Sequence, residues 1–371
     1  MPHTIAIREA HPDEAASLLA LAAEVDRQSP YTLLEPGERP AWCALGRPAE
    51  ELAAFQAHGN GTLFVAEAGG RPIGSLTATG GRVLRNRGVV TVKLGVHPEH
   101  QGRGIGTQLL AAAEAWAHRR GVHRIELTVA APNIRAHALY RRLGFRDEGC
   151  LRDSLRIGSA FCDEHILAKG NAAPDAPDWP PLLLDAPPPA ALAGPTIREA
   201  KPADAVSYAT YDRVVRRETP FLLRTAAEGL PDAAAARRFL AGQRLDPQRA
   251  TILAVIDGDV AGSLSVWGGG TRRTAHEASL GMAVRRTYWA SGLGKRLLST
   301  AETWARQRGY HRLSLWVMGH NVRARRFYAA CGFAEEAVCR RYALIDGRFA
   351  DHVAMGKIIP PYKQSPEHPA P

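Results

Sequence analysis

The chain is written twice. LGVHPEHQGRGIGTQLL at 94–110 returns as MAVRRTYWASGLGKRLL at 282–298, and NIRAHALYRRLGF at 133–145 returns as NVRARRFYAACGF at 321–333, each pair 188 residues apart. Gly74-Ser75-Leu76 and Gly262-Ser263-Leu264 keep that spacing. Ile7-Arg8-Glu9-Ala10 and Ile197-Arg198-Glu199-Ala200 are 190 apart, so the early loops differ slightly in length. The period exceeds the roughly 20–50 residues of a solenoid and marks a duplicated domain. A length of 371 residues fits two domains at about 100–200 residues each. Each fold must therefore close within one half, 1–170 or 196–358.

Between the halves, residues 171–195 contain eight prolines. Proline fixes φ and lacks the donor a central strand needs, so a stiff, extended linker is expected. A proline-rich recognition ligand is the alternative. Residues 359–371 are expected to form a disordered tail.

Both copies read alike. In the first, Thr4–Arg8 alternates as a strand, and a helix rich in Ala and Leu begins at Asp13, after Pro12. Thr62–Glu67 and Pro72–Thr79 read as strands around the Gly69-Gly70 turn, followed by a strand over Val89–Val96. Ile105–Arg119 has helical spacing, with Leu109, Leu110, Ala113 and Trp116 on one face. Arg124–Val129 is rich in strand formers. Ala136–Leu143 is a short helix that Gly144 ends, and Phe161–Lys169 closes the unit as a strand. The order predicts an α/β (α+β) fold, with a mixed sheet and helices around it.

Charge and composition narrow the partners. Hydrophobic residues make up 45% and charged residues 23%, which argues against general disorder. A net charge of +10 favours anionic partners such as phosphorylated cofactors, nucleic acid or acidic substrates. No basic strip is interleaved with aromatic residues, so nucleic acid is not the expected partner. Cys43, Cys150, Cys162, Cys331 and Cys339 form no disulfide framework, and no CxxC or HxxxH pattern points to a metal. No signal segment is visible and no apolar run approaches the ~20 residues of a membrane span. A reduced, cytoplasmic protein without a membrane partner is expected, as a monomer or homodimer.

The most informative stretch is Val89–Leu110. A strand ends at Val96 and the loop Gln101-Gly102-Arg103-Gly104-Ile105-Gly106-Thr107 opens a helix. The first N–H groups of a helix have no internal partner and, with the helix dipole, form an anion site. Glycines let an anion approach the backbone, and Arg103 adds charge. The spacing is GxGxG, neither a Walker loop nor a dinucleotide fingerprint. Alone, the loop also fits a turn shaped by packing; its recurrence between a strand and a helix in the second copy favours the anion reading.

Strand–(Q/R)xxGxG/A–helix, then a strand, then Asn followed seven residues later by Tyr and by LGF or CGF, resembles the GNAT family of acetyl-CoA-dependent N-acetyltransferases. Residues 94–145 and 282–333 carry the resemblance, and flanking elements extend it over about 4–169 and 196–358. It implies two tandem GNAT folds, each with a mixed, mostly antiparallel central sheet. DGRFADHVAMGK at 346–357 is similar to the closing strands of the ribosomal-protein-alanine acetyltransferase branch. A tandem arrangement also resembles a mycothiol synthase.

The resemblance implies acetyl-CoA as cofactor. The backbone of Leu94, Gly95 and Val96 would pair with the pantetheine arm like an added strand. The amides of Gly102, Arg103, Gly104, Ile105, Gly106 and Thr107 would hold the pyrophosphate, and Asn133 would meet the arm near the thiol. The equivalents are Met282, Ala283 and Val284; Ala290, Ser291, Gly292, Leu293, Gly294 and Lys295; and Asn321. In the second copy Trp289 replaces Gln101, Ala290 replaces Gly102, and Ser291 replaces Arg103. Ala290 is tolerable there if its φ is negative.

Acetyl transfer to an amine needs a base, oxyanion donors and a proton for the leaving thiolate. Tyr140 and Tyr328 stand seven residues after Asn133 and Asn321, about two helical turns. In the family a tyrosine here is the usual general acid, and a phenol of pKa near ~10 suits a thiol. Packing against the sheet is its plainer role. Relatives that acetylate ribosomal proteins often place a glutamate twelve residues before this tyrosine, where this chain has Thr128 and Trp316. On the strand before the loop the first copy has only Thr91 and Lys93, and the second has His276 and Glu277, which are base candidates.

The expected acceptor is a small-molecule or peptide amine, attacked directly in a ternary complex. Val25–Arg47 and Val214–Leu230, with Tyr31, Trp42, Arg216, Glu218 and Phe221, would shape its pocket. Two alternatives stand beside this reading. One domain is catalytic and the other a degenerate binding or scaffold domain, or the chain is a non-catalytic acetyl-CoA sensor.

Overall fold

A computed structural model of the chain describes residues 4–39, 48–57, 59–170, 176–185 and 194–360. Trp42 and Cys43 lie outside the described residues, as do 171–175, 186–193 and 361–371. The chain divides into two compact units, 1–179 with 271–273 and 337–351, and 180–270 with 274–336 and 352–371. These bounds differ from the halves of the repeat in that residues 271–273 and 337–351 of the second copy group with the first unit.

In the first repeat the elements are β1 (Ala6–Glu9), α1 (Ala15–Gln28), α2 (Pro48–Ala57), β2 (Gly61–Ala68), β3 (Arg71–Gly80), β4 (Val89–Val96), α3 (Ile105–Arg119), β5 (Arg124–Ala130), α4 (Ile134–Arg142), β6 (Arg146–Ile157) and β7 (Ala160–Gly170). The strands follow the order β1-β2-β3-β4-β5-β7-β6, and β4–β5 is their one parallel pair. On β2, alternate side chains serve opposite faces. Phe64 and Ala66 join the α3 stripe of Leu109, Leu110, Ala113 and Trp116, while Val65 packs with Leu18 of α1.

The second repeat gives β8 (Thr196–Glu199), α5 (Ala205–Glu218), α6 (Ala233–Leu245), β9 (Arg249–Ile256), β10 (Asp259–Gly268), β11 (Glu277–Val284), α7 (Leu293–Gln307), β12 (Arg312–Met318), α8 (Val322–Ala330), β13 (Ala334–Ile345) and β14 (Arg348–Ile358). In the second unit the order is β8-β9-β10-β11-β12-β14, again antiparallel except at β11–β12. Tyr208, Tyr211 and Val215 of α5 pack with Leu240 of α6 and Leu253 of β9. The α7 stripe of Leu297, Leu298, Ala301 and Trp304 is buried in the same way as that of α3.

The fold class is as expected: a mixed, mostly antiparallel sheet with helices. Two details differ. The unit closes with two strands, not one, because Arg146–Ile157 pairs with β7 although its polar sequence carries little strand signal. The expected linker is held by backbone pairing over part of its length. Trp179 N–H donates to Phe349 O at 2.7 Å within the first unit, and Leu182 N–H to His320 O at 2.7 Å within the second. Ile359, expected to start the tail, is buried, and its N–H donates to His311 O. No helix among the described residues is long and apolar enough to cross a membrane. Among the described residues, Cys150, Cys162, Cys331 and Cys339 are not joined in disulfides.

Candidate functional site

In each unit the parallel pair at the sheet centre opens partway along. β4 pairs with β5 only through Val89–Thr91 against Arg124–Glu126. β11 pairs with β12 only through Glu277–Leu280 against Arg312–Leu315. The later residues of each strand, Leu94-Gly95-Val96 and Met282-Ala283-Val284, stay paired with β3 and β10 on their other side. Among the described residues this leaves a wedge in which an extended ligand can lie as a further strand.

Each wedge ends at a helix mouth. α3 has Gly104 at its N-cap with φ 77°, and α7 has Gly292 there with φ 81°; neither mouth has a side-chain cap. The first intrahelical bonds are Gln108 N–H to Gly104 O and Arg296 N–H to Gly292 O. The N–H groups of Ile105, Gly106 and Thr107, and of Leu293, Gly294 and Lys295, precede them and have no helical acceptor. Asn133 on α4, Asp232 on α6 and Asn321 on α8 each accept from a backbone N–H, whereas α1 and α5, also without a side-chain cap, continue from a preceding 3-10 turn. Gly106 is closely packed, since a Cβ there would stand 3.2 Å from Leu139 and 3.3 Å from Leu94.

The departures in the second loop resolve into two kinds. Gln101 Nε2 donates to Val96 O at 3.1 Å, and Trp289 Nε1 donates to Val284 O at 2.8 Å, so both side chains tie the loop to the strand end. Ala290 does not meet its condition. Its φ is +64°, in the left-handed region that Gly102 occupies at +82°, and its Cβ makes that conformation costly. Ser291 is turned to the loop itself, its hydroxyl donating to Tyr288 O at 2.7 Å.

Sequence reasoning missed two cations here. Arg135 donates to Gln101 Oε1 at 3.2 Å and stands 3.4 Å from where a Cβ on Gly102 would lie. Its counterpart Arg323 lies over the Trp289 ring at 5.2 Å. Their place two residues after each motif asparagine was the available signal.

Asn133 and Asn321 use their side-chain oxygens as caps, accepting from Ala136 N–H at 3.2 Å and Ala324 N–H at 3.1 Å. Contact with a ligand would fall to their amide nitrogens. Tyr140 and Tyr328 are buried, edge-on to Phe145 and Phe333 at 5.9 and 5.7 Å. Burial pushes the Tyr140 phenol up to about 12 and raises that of Tyr328 further. Both hold their protons at neutral pH, though above the range that matches a thiol.

His276 and Glu277 stand at the far end of β11 from the wedge. At about 3.3 Å per residue, Glu277 is roughly 17 Å from Met282 along the strand, well beyond hydrogen-bond reach. His276 is buried, and its carbonyl accepts from His311 N–H and Arg312 N–H. Glu277 Oε1 is 3.5 Å from Arg312, which also pairs with Glu336. Arg124 holds Glu148 and Glu126 in the first unit, so the buried arginine with two carboxylates recurs with its second acid moved. At the position twelve residues before each tyrosine, Thr128 lies on β5, and Trp316 on β12 stacks on His352 at 5.0 Å.

Comparison with known proteins matches the profile of the acetyltransferase (GNAT) family at residues 28–145 and again at 216–333. An uncharacterised N-acetyltransferase of Methanocaldococcus jannaschii is 34% identical over 98 residues, covering 26% of this chain and 43% of the relative. A mycothiol acetyltransferase of Clavibacter michiganensis is 48% identical over 54 residues, 15% of this chain and 18% of the relative. An aminoglycoside N(6')-acetyltransferase of Stenotrophomonas maltophilia is 31% identical over 130 residues, 30% of this chain and 82% of the relative. The chain thus spans less than half the length of the first two.

Proposed function

Because the chain belongs to the acetyltransferase (GNAT) family, with two copies of its domain, we infer that it moves the acetyl group of acetyl-CoA to a primary amine by direct attack. The observation that carries this reading is the pair of uncapped helix mouths at the ends of two opened parallel strand pairs. At the first mouth, the amides from Gly102 to Thr107 hold the pyrophosphate, with Arg135 and Arg103 adding charge. At the second, the amides from Ala290 to Lys295 do so, with Arg323 and the Lys295 ammonium. The strand ends Leu94-Gly95-Val96 and Met282-Ala283-Val284 pair with the pantetheine arm, and Asn133 and Asn321 orient it.

Bound cofactor supplies the activated acetyl thioester. The strand amides stabilise the oxyanion as the amine attacks. Tyr140 and Tyr328, protonated at neutral pH, donate to the departing sulfur. In this scheme water takes the proton from the amine.

Release of thiol from acetyl-CoA in the presence of primary amines tests the reading. Tyr140→Phe and Tyr328→Phe should each lower turnover in their own domain by roughly 100-fold. Unchanged turnover in both variants with a true acceptor contradicts the acid role.

A further inference from the structure

A cavity of about 260 Å³ opens beside the first half of β11. Trp267, the Gly268–Gly270 turn, Thr274, Glu277 and Ser279 line it, and Glu277 is the one ionisable group among them. Behind it, Arg312 is 3.5 Å from Glu277 and already paired with Glu336. Glu277 brings a carboxylate to the cavity wall. Trp267 is 41% exposed. Its ring lies over Gly281, where a Cβ would come within 3.1 Å. A carboxylate and an indole lining one cavity suit an organic cation.

Residues on one face of the sheet lead from the cavity toward the wedge. Trp267 stands opposite Ser279, whose hydroxyl is 3.1 Å from that of Ser314. Trp316 follows two residues along β12, on the same face, and is also 41% exposed. The strands part just beyond Leu280 and Leu315. From Glu277 to Gly281 is four residues, roughly 13 Å. The first copy lacks this arrangement, with Thr79, Val89, Lys93 and Thr128 at the positions of Trp267, Glu277, Gly281 and Trp316.

We propose that the acceptor of the second domain is an amine carrying a second cationic group about 10 Å from the reacting nitrogen, with Glu277 and Trp267 holding that distal cation. The position of the reacting end rests on the acetyl-transfer reading above. There the neutral amine's lone pair forms the new C–N bond and the C–S bond breaks with its electrons on sulfur. One proton leaves nitrogen for water and one reaches the thiolate, giving an amide and free thiol; the distal cation is unchanged.

Calorimetric titration of the CoA-loaded full chain with octamethylenediamine and with n-octylamine tests this. The diamine should bind at least about tenfold more tightly, the worth of one charge-assisted hydrogen bond. Glu277→Gln, which keeps the side-chain shape, should abolish the difference, and Trp267→Ala should weaken the diamine severalfold. Equal affinities, or a preference that survives Glu277→Gln, overturns the proposal. Thiol release in parallel samples with acetyl-CoA reads the transfer separately. Tight diamine binding without thiol release sinks the transfer reading and leaves the cation pocket standing.

Discussion

The indole N–H of Trp289 donates to the carbonyl of Val284 at 2.8 Å, closing the second loop onto its strand. Gln101 makes the same bond to Val96 in the first unit. The indole is therefore a substitute donor, and the Arg286 and Arg323 guanidinia over its ring, at 5.9 and 5.2 Å, add to its hold. Trp289→Gln should keep the loop closed. Trp289→Phe, which deletes the donor, should cost about 1 kcal/mol of stability, read from urea unfolding. A Phe variant as stable as the parent would show that the bond does not hold the loop.

Ala290 holds a left-handed backbone with a side chain attached, at φ +64°. Relieving that conflict should help the folded state. Ala290→Gly is expected to stabilise by roughly 1 kcal/mol, and Gly102→Ala to destabilise by a similar amount. Paired thermal melts of the two variants check the sign of each. A destabilised Ala290→Gly chain would contradict the assignment of strain.

Arg312 is 1% exposed and lies between Glu336 and Glu277. Burial works against its charge, but the two carboxylates outweigh that and raise its pKa. Arg312→Met should cost about 3–5 kcal/mol at neutral pH, because two carboxylates are left facing one another. Adding Glu336→Gln should recover part of the loss. Denaturant midpoints of the single and double variants decide, and a single-variant loss below about 1 kcal/mol would contradict the buried-pair account.

Burial raises the Tyr140 phenol from its ordinary value of 10 to about 12, and that of Tyr208 likewise. The folded chain thus holds these protons more tightly than the unfolded chain. Their contribution to stability is full below pH 10 and is lost as pH rises toward 12. Unfolding free energy should fall over that window, and less steeply in Tyr140→Phe. Identical slopes in the two chains would mean that the phenol is not buried in solution.

Much of the fold was legible because the repeat supplies every signal twice. The stripe Leu109, Leu110, Ala113 and Trp116 is buried as its spacing requires. The glycines at 102, 104 and 292 take the left-handed backbone that their place at a helix mouth demands. Arg146–Ile157 escaped notice because its strand is set by partners on β7, not by its own residues. Arg135, Arg323 and the Trp267 cavity escaped because proximity across separate elements leaves no mark in a local pattern. Position alone makes His276 and Glu277 base candidates. Strand rise then separates them from the wedge, a distance that a count of residues along one strand does give.

Both helix mouths are proposed to grip the diphosphate of coenzyme A, and calorimetric titration of the full chain with acetyl-CoA counts the sites. Two sites per chain are predicted, one of them weakened by Gly104→Val and the other by Gly292→Val. Absence of binding, or binding that neither substitution affects, would contradict it.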